Sequence, residues 1–159
     1  MKKICILSVL LFMIALTSRS WSADIKPLKP GPNDKCPVCG MFVAKYSNFA
    51  CQIQFNDGTV AFFDGPKDMF TYYHNLGRYN PRKKQTDIAA IFVTSYYNLS
   101  MVDGLKAFYV IGSNVYGPMG RELIPFAKES EARGFIKDHK GKLILHFHDV
   151  TPKVLKTLD

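Results

Sequence analysis

The chain has 159 residues, 47% of them hydrophobic and 21% charged, with a formal net charge of +8. That length suits one compact domain. Its Lys and Arg are scattered, Arg82-Lys83-Lys84 being the only dense run. This excludes the basic-aromatic stripe of a nucleic-acid binder, DNA included, and reads as a solvated surface that would also help docking on an acidic partner.

Met1-Lys2-Lys3 is a short positive region, Ile4 to Leu16 an apolar run, and Thr17 to Ala23 short and mostly small or polar. That is the anatomy of a secretory signal peptide, and the run is shorter than the roughly 20 residues of a comfortable membrane span. A cut after Ser22 or Ala23 fits, with an uncleaved anchor as the alternative. Cys5 lies at the start of the apolar run rather than after it, and Cys36 lies too far on for a lipoprotein cut. The expectation is a signal peptide over 1–22 and a soluble periplasmic protein with at most weak membrane association. Removing Lys2, Lys3 and Arg19 lowers the charge from +8 to +5. Cys36, Cys39 and Cys51 remain, an odd count that leaves a thiol unpaired in an oxidising compartment and points toward metal or redox chemistry.

Residues 23–35 read as an extended, Pro-rich arm, because prolines forbid a regular helix or central strand there. Cys36-Pro37-Val38-Cys39-Gly40-Met41 follows. Two thiols and a thioether within one turn-forming stretch are soft ligands, which select Cu(I), Zn(II) or iron–sulfur centres, and Cu(I) is the first reading. Three others stand beside it: half of a zinc ribbon lacking its second cysteine pair, a redox dithiol, and a plain local disulfide.

Phe49 to Phe55 alternates as a half-buried strand, with Phe49, Cys51, Ile53 and Phe55 on one face. Cys51 reads as a small buried hydrophobe, with a third ligand as the alternative. Asn56-Asp57-Gly58 is a tight turn, and Thr59 to Phe63 the returning strand. Asp64 is placed to cap a helix with Pro66 in its first turn, and Asp68 to complement its dipole. Met69, Phe70, Tyr73 and Leu76 form its core face and Gly77 its end; Met69 reads as core. Residues 77–87 form a surface loop. Ile88 to Tyr97 and Ala107 to Ile111 read as strands, and Glu129 to His139 as a helix stopped by Gly141.

Met119, held between Gly117-Pro118 and Gly120, cannot be a mid-helix packing residue, and a functional role competes evenly with a structural one. Leu143 to His148 reads as a strand with His146 and His148 on one face, either a metal pair or a wet edge. The order strand–strand–helix, strands, helix–strand gives an α+β domain over 36–159, built from two ββα-type units with antiparallel strands, at about 36–87 and 88–150. No Gly-rich phosphate loop or Gly-x-Ser-x-Gly elbow is present, and no enzyme is expected.

Taken together, Cys36-Pro37-Val38-Cys39-Gly40-Met41, Phe63-Asp64-Gly65-Pro66-Lys67-Asp68 and Tyr116-Gly117-Pro118-Met119-Gly120-Arg121-Glu122-Leu123-Ile124-Pro125-Phe126 resemble the NosL family across roughly 34–150. The resemblance implies a periplasmic Cu(I) carrier that serves maturation of nitrous oxide reductase or another copper-receiving protein. It also implies an architecture similar to organomercurial lyase. Carried over, the copper ligands are Cys39 and Met41 in the first motif and Met119 in the last. Arg121 stands where many members carry histidine, and a guanidinium is no neutral ligand. The expected metal set is therefore Cys36, Cys39, Met41 and Met119, with the His146/His148 pair outside it. The alternative is a periplasmic thiol–disulfide protein that uses Cys36 and Cys39 alone.

Overall fold

Alternating apolar residues make the strand over Cys51–Phe55, which lies at the centre of the main core. The structure, a computed structural model, describes residues 25–159, so the expected signal segment lies outside the described residues. The strands are β1 (Cys51–Phe55), β2 (Val60–Phe63), β3 (Ile88–Thr94), β4 (Met101–Asp103), β5 (Phe108–Ile111), β6 (Tyr116–Gly117), β7 (Gly120–Arg121), β8 (Ile124–Phe126) and β9 (Leu143–Leu145). The helices are α1 (Pro66–His74), α2 (Leu76–Tyr79), α3 (Glu129–His139) and α4 (Pro152–Leu155).

Among the described residues the strands form an antiparallel sheet of order β2-β1-β3-β4, a second of order β8-β5-β9, and the β6-β7 hairpin. This is the expected α+β class. The first sheet runs on through Asp103, and the second begins at Phe108. The β1–β2 turn closes as its sequence predicts: Gly58 takes φ +81°, and the Thr59 N–H and hydroxyl both donate to Asp57 Oδ1.

Cys51, Ile53 and Phe55 lie in the main core with Phe63, Met69, Phe70 and Tyr72. Phe70 of α1 meets Tyr109 of β5 edge-on at 5.2 Å and Phe147 at 4.9 Å, so α1 is enclosed between the first sheet and the second half of the chain. Val110, Ile124 and Phe126 form a second cluster with Ala132 and Phe135 of α3. Met69 is core, as expected.

Three local expectations are corrected. First, β1 is buried on both faces, not one. The arm crosses the outer face, and buried Gln52 serves it as a surrogate strand: the Leu28 N–H donates to Gln52 Oε1 (2.9 Å), and Gln52 Nε2 donates to Leu28 O (2.8 Å). Gln54 Nε2 donates to Lys26 O at 2.8 Å. Replacing Gln52 with leucine therefore strands the Leu28 amide and carbonyl. We expect a loss of about 1–3 kcal/mol in urea unfolding and faster hydrogen exchange at Leu28, with the far core unchanged.

Second, the α1 N-cap is Gly65, without a side-chain cap bond, and Asp64 points elsewhere. The helix ends at His74, and Leu76 belongs to α2. Third, the last strand stops at Leu145. His146 opens a turn in which its own N–H donates to the Asp149 carboxylate (2.9 Å), so His146 and His148 do not share a strand face.

Candidate metal centre

The first motif folds into a closed loop. The Cys36 N–H donates to Met41 O and the Gly40 N–H to Cys36 O, both at 2.9 Å. Gly40 takes φ +80°, a conformation that suits glycine and turns the chain back on itself. A bridge between Lys35 and Phe42 forms the neck of the loop, and the fully buried Val43 pins it to the core.

The loop faces the β2–α1 junction. Asp64, at the end of β2, is wholly buried, and Asp68, in the first turn of α1, nearly so. Cys36 Sγ donates to Asp68 Oδ2 and Cys39 Sγ to Asp64 Oδ1, each at 3.3 Å. One ligand atom from each of Cys36, Cys39, Asp64 and Asp68 lies within 4.8 Å of the others. Asp64 Oδ2 is buried without a hydrogen-bond partner. An orphaned buried carboxylate oxygen beside two thiols is what a metal ion would satisfy.

Burial drives the Cys36 thiol far above its ordinary range and pushes Cys39 up to about 12, and the adjoining carboxylates act in the same direction. Burial also raises Asp68, with the nearby Asp64 charge adding to it. Both thiols are free and hold their protons against carboxylates. A cation that displaces those protons gains two thiolate ligands at once.

Met41 closes the loop through its carbonyl, with its side chain half-buried. Met119 occupies the tip of the β6-β7 hairpin, its side chain exposed. That tip sits over the start of α1, because Lys67 Nζ donates to Met119 O at 3.0 Å. Behind it, buried Glu122 caps the helix from a distance: its Oε1 accepts the Lys67 and Leu123 N–H groups at 2.6 and 2.9 Å. The fold thus brings Cys36 and Cys39 together with Met41 beside them, and hangs Met119 above the helix that carries Asp68. Cys51 is core, its thiol donating to Phe49 O. His146 and His148 belong to no metal-competent cluster among the described residues.

Sequence reasoning missed the two carboxylates as part of the site. Capping and dipole roles already explained Asp64 and Asp68 locally. The available signal was their spacing of four across a strand–helix junction, within the Phe63-to-Asp68 stretch that carries the family resemblance.

Site and fold together define a small α+β domain that brings a Cys-x-x-Cys loop and two buried carboxylates close enough together to hold a metal ion. The fold is that of the crystal structure of the copper chaperone NosL from Shewanella denitrificans, matched at TM-score 0.65 and 18% identity over 80% of this chain and 97% of that one. The solution structure of apo-NosL from Achromobacter cycloclastes matches at TM-score 0.46 and 26% identity, over 66% and 87% of the two chains. The copper-binding lipoprotein NosL of Stutzerimonas stutzeri is 23% identical over 84% of this chain and 70% of its own length. The NosL family profile matches residues 27–155, and the chain belongs to that family.

Proposed function

We propose that the mature chain is a periplasmic Cu(I) carrier without enzymatic activity, and that it delivers copper to nitrous oxide reductase or a related cuproenzyme. The observation that carries this reading is the convergence of Cys36 and Cys39 with Asp64 and Asp68 where the loop faces the β2–α1 junction. Support comes also from relatives named as copper-binding or copper chaperones. In this reading residues 1–22 are the signal peptide, 23–35 the arm, and 36–159 the copper-binding domain in two ββα-type units.

Cu(I) is the cargo. As it enters, each S–H···O contact gives way to a sulfur–copper bond, and the thiol protons leave by way of the facing carboxylates to solvent. Cys36 and Cys39 supply the strong ligands. Met41 and Met119 supply neutral thioethers, which favour Cu(I) and add no charge to a site that already holds two carboxylates. The half-exposed Cys39 and exposed Met119 leave a side from which an acceptor ligand attacks.

A redox dithiol fits less well. Reactive thiolates sit in electropositive surroundings, and these thiols face carboxylates. The carboxylates do favour a second cargo, Zn(II), which accepts mixed sulfur and oxygen ligands.

The test is an anaerobic titration of the reduced mature protein against a chromophoric Cu(I) chelator, with Zn(II) in parallel. Tight one-site Cu(I) binding, weakened when Met41 and Met119 are both leucine, supports the carrier. Failure to compete for Cu(I) overturns it. Dithiol reductase activity that survives the double leucine variant, without Cu(I) binding, establishes the alternative.

A further inference from the structure

Beside the metal loop lies a patch that metal binding does not use. Phe42 follows Met41 directly and is 36% exposed. The Lys35 ammonium stands 4.9 Å from the ring centroid and that of Lys45 5.5 Å. Both lysines are exposed, and among the described residues neither forms an ion pair. The nearest carboxylate in sequence, Asp34, is half-buried and accepts the Gly31 N–H at 2.7 Å. On the hairpin that carries Met119, Arg121 is likewise exposed and outside those ion pairs. Two like charges gathered beside one exposed ring repel each other, and no carboxylate among the described residues forms an ion pair with either.

The patch is also fixed relative to the cargo. Lys35 precedes Cys36, and the Lys35–Phe42 bridge is the neck of the loop. Ligand exchange requires an acceptor atom within bonding distance of the metal that Cys39 holds. Lys35 and Phe42 flank the loop at its neck, where they would contact a protein docked on it.

We infer that Phe42, Lys35 and Lys45 form the docking face for the copper-receiving protein, and that the acceptor's metal-receiving site is rimmed by carboxylates with an apolar contact for the Phe42 ring. The inference rests on the carrier reading and names the chemistry of its partner. Charge complementarity of this kind steers encounter and sets the on-rate more than the final affinity.

The probes are two synthetic peptides with the same central Cys and Met acceptor pair, flanked by glutamates in one and by glutamines in the other. Stopped-flow transfer from the Cu(I)-loaded mature protein is expected to be about tenfold faster to the glutamate peptide at low ionic strength. Salt should erase that advantage, and so should the K35E/K45E double variant, with Cu(I) affinity against the chelator unchanged. Phe42→Ala should slow transfer to both peptides at equal affinity. Equal rates for the two peptides overturn the docking face while leaving the carrier reading intact, as does a glutamate preference that survives the double variant. So does capture by anionic vesicles with no peptide preference.

If the protein takes up no Cu(I), the carrier reading falls first. Amide shifts of the metal-free protein with the glutamate peptide then decide the face separately. Shifts centred on Lys35, Phe42 and Lys45 support it, and their absence overturns it.

Discussion

Cys39→Ser is expected to lower Cu(I) affinity by more than the roughly 10–100-fold that loss of an outer-sphere partner costs, because it removes a ligand outright. Cys36→Ser should do the same and should also reduce stability, since Cys36 is only 1% exposed and its thiol is bonded to Asp68. Asp64→Asn and Asp68→Asn separate the two cargoes. Carboxylates are hard donors that add little to Cu(I) bound by sulfur, but they are ordinary ligands of Zn(II). The asparagine variants should therefore retain most Cu(I) affinity and lose much of any Zn(II) affinity in the same chelator competition. Unchanged Cu(I) affinity in Cys39→Ser would remove the loop from the site.

Glu122→Ala is expected to be among the most destabilising single changes, at about 2–6 kcal/mol in urea unfolding, because it orphans two buried N–H groups at about 1–3 kcal/mol each. It should also loosen the start of α1, where Asp64 and Asp68 are set. Gly65→Ala attacks the same contact from the other side, since a methyl there would collide with Glu122 Oε2.

The carboxyl also predicts a pH dependence. Burial pushes Glu122 up to about 8, from an ordinary 4.5. Between those values the native protein keeps a proton that the unfolded chain has released. Unfolding then releases a proton, so stability falls as pH rises from about 4.5 and levels off above about 8. Asp68, raised by burial, adds a slope of the same sign. Glu122→Gln keeps an oxygen for both N–H groups and has no charge to lose. It should fold, and its stability should vary less with pH than that of the parent protein. An equally steep profile would assign the slope to other groups.

Features that local chemistry determines were legible in the sequence. The helix read over Glu129 to His139 is α3 to the residue, and the turn at Asn56-Asp57-Gly58 and the core role of Met69 follow from side-chain type and spacing. Features that depend on distant partners were not. Gln52 and Gln54 alternate like the wet face of a strand, and only the returning arm buries them. Asp64 has every attribute of a helix cap. It is free for the site because Glu122, 58 residues further along the sequence, supplies the acceptor that the helix start needs. The histidine pair assumed that β9 continues; Asp149, three residues after His146, is the local sign of a turn that ends it.

The three cysteines among the described residues also grade from half-exposed Cys39 through nearly sealed Cys36 to fully enclosed Cys51. One thiol-labelling time course therefore carries three clocks. Cys39 reports on the open rim, Cys36 on opening of the loop, and Cys51 on unfolding of the central sheet. Cargo that occupies the loop should slow the first two strongly and leave the third governed by global stability. The protein thus contains its own reference for telling occupancy of the site from a general change in folding, without an added probe.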